Sequence, residues 1–126
     1  MLGLSMKSIV IIEDDADALD LYYELLAQEK YRVFPAHSGR LGLHVVSHEL
    51  PNLVILDLLI PGDMNGISVL KELKTNEKTA SIPILVITNL DSEKDAIMAL
   101  GASDFLTKAN TSLDTILKKV QALVSA

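Results

Sequence analysis

Four apolar residues, Leu53-Val54-Ile55-Leu56, run without a break into a carboxylate, Asp57. Such a run suits a strand buried on both faces, and that requires a parallel sheet covered by helices on each side. In these sheets ligands bind beyond the carboxyl ends of the strands. Asp57 stands at that end, where an unpaired carboxylate is a costly way to fill space. An Asp that merely caps the loop after it is the competing reading.

The rest of the chain repeats the arrangement. Ser8-Ile9-Val10-Ile11-Ile12 ends in Glu13-Asp14-Asp15, and Ile82-Pro83-Ile84-Leu85-Val86-Ile87 ends in Thr88-Asn89. Tyr31–Ala36 reads as a shorter strand whose Pro35 favours an edge, and Asp104-Phe105-Leu106-Thr107 as a last one ending in Lys108. Helical spacing fills the gaps. Leu19, Tyr22, Tyr23 and Leu26 mark a helix over 16–28, and Ile67, Leu70 and Leu73 one over 66–75. Ser38 caps a helix over 39–49, with Leu43, Val46 and Leu50 facing inward. Gly42 within it costs about 1 kcal/mol against Ala unless it permits close packing on the sheet. A fourth helix opens at Asp91–Asp95, with Ser92 or Asp91 as cap, and stops at Gly101. The fifth has Thr111 with Asp114 as a cap and a stripe from Leu113 to Val124.

Strand and helix thus alternate five times over 126 residues. The expected fold is α/β: one doubly wound domain, 1–126, with a core over 7–124 and a tail at 1–6. At 49% hydrophobic residues and no Trp, its core is aliphatic. A net charge of −6 argues against a nucleic-acid surface. The absence of cysteine removes disulfides and thiol catalysis. The start of the chain is too short and uncharged for a signal peptide, and no apolar run is long enough for a bilayer. No membrane association is expected, and a cytoplasmic location is. His44 and His48 stand one helical turn apart, but no third metal ligand accompanies them.

With a flavodoxin-type strand order, 2-1-3-4-5, the first and third strands are neighbours, so Glu13, Asp14, Asp15 and Asp57 converge. Carboxylates that close repel, and a divalent cation relieves them. An all-oxygen donor set with open positions suits Mg²⁺. Acid in place of a Gly-rich loop argues against a bound nucleotide or flavin phosphate. With a metal the cluster becomes a phosphoryl-transfer site: an Asp carboxylate attacks phosphorus, and a Lys and a Thr hydroxyl steady the oxygens. Asp57, Thr88 and Lys108 have those chemistries at those strand ends.

On these residues the chain resembles the response-regulator receiver domains of two-component signalling. The motifs are Asp14-Asp15, Asp57, the Pro61–Gly66 loop, Thr88, and Gly101-Ala102-Ser103-Asp104-Phe105-Leu106-Thr107-Lys108. The resemblance implies that Asp57 is the phosphoacceptor for a histidine kinase or phosphotransfer protein. It implies that Asp14 and Asp15 hold Mg²⁺ with Asp57 and the backbone carbonyl of Leu59. It implies that Lys108 contacts the phosphoryl group while Thr88 and Phe105 move together as a switch. That movement would reshape the face made by the fourth helix, fifth strand and fifth helix.

Three departures from the family pattern stand out. The loop 61–66 is one residue longer and brings in Asp63, expected to face solvent. Asn89 follows Thr88 where a small residue is usual, and would crowd the phosphate entrance or bond the phosphoryl group. Ala109 follows Lys108 where the family has a cis Pro. A cis bond to Ala costs about 2.5–4 kcal/mol, so a trans bond and a shifted lysine are expected.

The function expected is a phosphorylation-controlled switch that catalyses only its own phosphotransfer and dephosphorylation. The alternative is a receiver-like binding module that no longer switches. A phosphohydrolase would need an acid two residues after Asp57, where Leu59 stands. Expected partners are the kinase, near Asp17, Asp20, Tyr22, Tyr23 and Glu24, and a downstream protein or an output domain. Lys118 and Lys119 face a partner or water, and the expected state is a monomer or weak dimer.

Overall fold

Five short strands alternate with five helices in the computed structural model, which describes residues 6–125 (for Asp91, the backbone alone). The strands are β1 Ser8–Ile12, β2 Arg32–Ala36, β3 Leu53–Leu56, β4 Ile84–Thr88 and β5 Asp104–Thr107. The helices are α1 Ala16–Gln28, α2 Gly39–Glu49, α3 Gly66–Thr75, α4 Lys94–Ala99 and α5 Leu113–Ser125. All strand pairs are parallel and the order is β2-β1-β3-β4-β5, the doubly wound flavodoxin-like order. β2, with Pro35, is an edge strand. Most of the proposed tail lies outside the described residues, and among the described helices none is long and apolar enough to cross a membrane.

Residues alternate between the two faces of the sheet, as strand geometry requires. Val10, Ile12, Val54, Leu56, Val86 and Phe105 join α2, α3 and α4 in one apolar layer. Ile9, Ile11, Ile55, Leu85 and Ile87 join α1 and α5 in the other, with Tyr22, Leu26, Ile116 and Val120. Gly42 sits where a Cβ would lie 2.5 Å from Ile12 Cδ1, so its helix cost is offset by a close approach to β1.

Helix ends correct three sequence expectations. Leu50 is not part of the inner face of α2: it is the C-cap, left-handed at φ 44° and 51% exposed. The fourth helix begins with a 3-10 turn, Asp91–Glu93, and is α-helical only over Lys94–Ala99. Gly101 follows it at φ 110°, a conformation that L side chains rarely adopt. The cap of α5 is Ser112, whose hydroxyl accepts the Thr115 N–H at 3.1 Å; neither Thr111 nor Asp114 fills that role. The caps at Ser38 and Asn65 accept the N–H groups of Leu41 (3.1 Å) and Ser68 (2.9 Å).

Candidate functional site

The register of the central strands assembles the site. Ile12 pairs with Leu56 as the last register pair of β1 and β3, so Glu13 and Asp57 come next on the two chains. Their backbones stay in line: Glu13 N–H donates to Ala36 O, and Asp57 N–H to Ile12 O, both at 3.0 Å. On the other side β4 and β5 end at the pair Thr88–Thr107, with Lys108 next. Each chemical group therefore stands one step beyond a ladder that cannot slip without exposing an apolar layer.

Glu13, Asp14 and Asp57 offer carboxylate oxygens that all lie within 4.8 Å of one another. Asp57 is 5% exposed and Glu13 1%, whereas Asp14 is on the surface. Asp15, expected in the metal set, is not in this group. It is the exposed N-cap residue of α1, and its N–H donates to Glu13 Oε2 at 3.1 Å. The converging acids are Glu13 and Asp14, not Asp14 and Asp15.

Lys108 reaches the cluster directly. Its ammonium donates to Asp57 Oδ2 at 2.8 Å and forms an ion pair with Glu13 Oε1 at 2.5 Å. Apart from that ion pair, Glu13 Oε1 is a buried carboxylate oxygen without a hydrogen-bond partner. The bond from Lys108 to Ala109 is trans, as expected, like every peptide bond among the described residues, and from it the ammonium reaches Asp57.

The charges perturb one another. Burial pushes Asp57 up, but hydrogen bonds from Lys108 and the Leu59 N–H, with help from the Thr88 hydroxyl, leave it below the ordinary Asp range. For Glu13 burial prevails over the Lys108 contact, and its carboxyl is raised. Burial acts to lower Lys108, yet its two carboxylates hold it above the usual lysine range. Tyr22, buried on α1, has a phenol raised by burial and lies within reach of the charges of Lys108, Glu13 and Asp57.

The remaining expected residues fall around this centre. The Leu59 N–H donates to Asp57 Oδ1 at 3.0 Å, while its side chain is 52% exposed. Thr88 is fully buried, and its Oγ1 accepts the Leu90 N–H at 3.3 Å. Phe105 is buried in the layer under α4 and pairs in register with Val86. The Asn89 carboxamide is engaged with the turn after β5: its Oδ1 accepts the Ala109 N–H at 3.0 Å. Asp63 faces solvent and binds the Arg40 guanidinium through two nitrogens, at 2.7 and 3.0 Å. Among the described residues, His44 and His48 belong to no group of three metal-ligating side chains. A shallow cleft lined by Asp14, Leu59, Pro61, Asn65 and Leu90 lies beside the acids.

Sequence reasoning brought Glu13 to the cluster but left it out of the metal set, and it missed Tyr22 as a neighbour of the cluster. Strand alternation could have found the first: Glu13 continues the series Ile9–Ile11 as Asp57 continues Leu53–Ile55.

Comparison with known proteins gives a consistent result. The family described as "Response regulator receiver domain" matches residues 9–121. Response regulator PleD of Caulobacter vibrioides is 39% identical over 106 residues, 82% of this chain, and the match spans only 23% of PleD. Protein PilH of Pseudomonas aeruginosa is 29% identical over 95% of this chain and 99% of its own length. A putative response regulator from Chloroflexus aurantiacus superposes with a TM-score of 0.89 at 27% identity, covering 97% of this chain and all of its own. Chemotaxis protein CheY4 of Vibrio cholerae shares the fold, at a TM-score of 0.85 over 94% of this chain and 99% of its own.

Proposed function

The chain belongs to the response regulator receiver domain family, and from that premise we propose that it is a switch thrown by phosphorylation of Asp57. The donor is a phosphohistidine on a histidine kinase or phosphotransfer protein. One Asp57 oxygen forms the new bond to phosphorus, the P–N bond breaks, and the imidazole leaves with its electron pair. The observation that carries this reading is Lys108 Nζ held 2.8 Å from a buried Asp57, beside two further acids.

The three-carboxylate donor set and the unbonded Glu13 Oε1 fit a hard divalent cation, which supports Mg²⁺ as the cofactor. Glu13, Asp14 and Asp57 would hold it, with the Leu59 carbonyl as a further oxygen. When bound, it supplies positive charge against the phosphoryl oxygens. The chain's own groups do the rest. The Leu59 N–H fixes the Asp57 carboxylate through Oδ1, and Lys108 keeps it ionised and offers ammonium protons to the incoming group. The Thr88 hydroxyl, now an acceptor for the Leu90 N–H, turns to donate its proton to a phosphoryl oxygen, and Phe105 follows within its layer. The β5 end and the α4 and α5 surfaces then present a changed face to a downstream protein or an output domain. Beyond its own phosphotransfer and dephosphorylation the domain catalyses nothing, and it works in the cytoplasm.

The test is incubation with Mg²⁺ and acetyl phosphate beside Asp57→Asn, read by intact mass. One added phosphoryl group, absent from the variant and absent without Mg²⁺, is the expected result. No addition to a folded protein that still binds Mg²⁺ would overturn the switch and leave a receiver-like binding module.

A further inference from the structure

The loops that carry Thr88 and Lys108 are joined by a bond the sheet does not supply. The β4–β5 register ends at Thr88–Thr107, and one residue beyond it the Asn89 carboxamide oxygen accepts the Ala109 N–H at 3.0 Å. Ala109 is the middle residue of a single 3-10 turn, Lys108–Asn110. Thr111 closes that turn from its far side: its hydroxyl donates to Thr107 O at 2.7 Å and its N–H to Lys108 O at 3.4 Å. Asn89 and Ala109 are both exposed, so packing does not hold them together; the hydrogen bond does. A lysine ammonium on a four-carbon stem loses much rotamer freedom when it is fixed on an anion. A stem rooted in a pinned turn has less left to lose.

We propose that Asn89 is a positioning residue for Lys108: its carboxamide takes the Ala109 N–H and so sets the backbone from which the ammonium reaches Asp57. The inference rests on Asp57 being the phosphoacceptor. It also ties the loop after Thr88 mechanically to the loop after β5, so a turn of one is transmitted to the other through one side chain.

Two substitutions remove the same bond from opposite ends. Asn89→Ala removes the acceptor, and Ala109→Pro removes the donor, because proline has no N–H; the proline ring-carbon shifts of that variant confirm that its bond to Lys108 stays trans before its rate is used. The rate of Asp57 phosphorylation by acetyl phosphate at saturating Mg²⁺ is measured for wild type, both single variants and the double. Each single variant is expected to react ~3–10-fold more slowly, and the double no more slowly than the slower single. Half-saturation by Mg²⁺ is expected to stay unchanged, because the three acids are untouched. A rate for Asn89→Ala within ~2-fold of wild type overturns the proposal, as does an equal slowing with and without Ala109→Pro.

Nuclear magnetic resonance without any phosphodonor separates this inference from the phosphoacceptor reading. In Asn89→Ala the Ala109 amide is expected to exchange with solvent ~5-fold faster or more, and the Lys108 ammonium protons to exchange faster too. If wild type takes no phosphoryl group while both signals respond, the phosphoacceptor reading fails and the positioning of Lys108 stands. If neither signal responds, the proposal fails whatever the phosphorylation result.

Discussion

Glu13 Oε1 lies 2.5 Å from Lys108 Nζ, buried, and without a hydrogen bond. The contact tempers the charge on Glu13 but does not cancel the cost of burying it, since the carboxyl remains raised. A raised acid binds its proton more tightly in the folded state than in the unfolded chain. Stability from this group therefore falls as pH rises above the ordinary Glu value of 4.5. Glu13→Gln is accordingly expected to unfold at a higher temperature than wild type at pH 7 without Mg²⁺, and to bind Mg²⁺ more weakly. Thermal melts of both proteins check the first outcome and a Mg²⁺ titration the second; a lower melting temperature for the variant would refute the burial argument.

Asp57 and Lys108 have the opposite sign. Asp57 is depressed, so its contribution is present above the ordinary value of 3.8 and disappears as pH falls below it. Lys108 is raised, so its contribution is complete below 10.5 and disappears at higher pH. The raised phenols of Tyr22 and Tyr31 add to the alkaline loss. Denaturant midpoints measured across pH should fall at both extremes, and Lys108→Met should flatten the alkaline limb.

Lys108→Ala leaves Glu13 and Asp57 facing each other without a cation. The metal-free variant is expected to be ~1–3 kcal/mol less stable at pH 7. Mg²⁺ should recover more stability in the variant than in wild type, because in wild type the metal meets an ammonium already in place. Equal gains in both proteins, read by thermal unfolding with and without Mg²⁺, would mean that Lys108 and the metal do not share the cluster.

A Cβ on Gly66 would run into Leu58 Cα and the Asp57 carbonyl oxygen, both backbone atoms that cannot turn aside. Gly66→Ala should cost ~1–3 kcal/mol and slow phosphorylation of Asp57, since the start of α3 can yield only by moving the segment that carries the acceptor. Denaturant unfolding and the acetyl phosphate assay check the two parts.

Asp63→Ala tests whether the long loop serves the metal. Its partner Arg40 and Asp63 itself are both largely solvated. Melting temperature and Mg²⁺ affinity are expected to match wild type; a weaker Mg²⁺ affinity would place Asp63 at the cluster.

The fold was legible because the apolar runs at β1, β3 and β4 admit one architecture, and Pro35 marked the edge. Asp57 and Thr88 stood out because each directly follows such a run, and Lys108 because it follows the short strand Asp104–Thr107. Which two of the three consecutive acids converge on Asp57 was not legible, since they look alike until strand alternation is applied, and in the structure they are Glu13 and Asp14. Glu13 continues the ladder, and Asp15 has already turned into the N-cap of α1. The bond between Asn89 and Ala109 was not legible at all. Its partners are 20 residues apart, and only the register of β4 with β5 shows that they meet.

The sheet also works as a partition. Phe105 lies in the layer with α2, α3 and α4, and Tyr22 in the layer with α1 and α5. Along the middle of the sheet the largely buried strands β1, β3 and β4 stand between the two layers. A repacking that starts at Phe105 therefore spreads first under α4, and it meets α5, on the other side, by way of the β5 end.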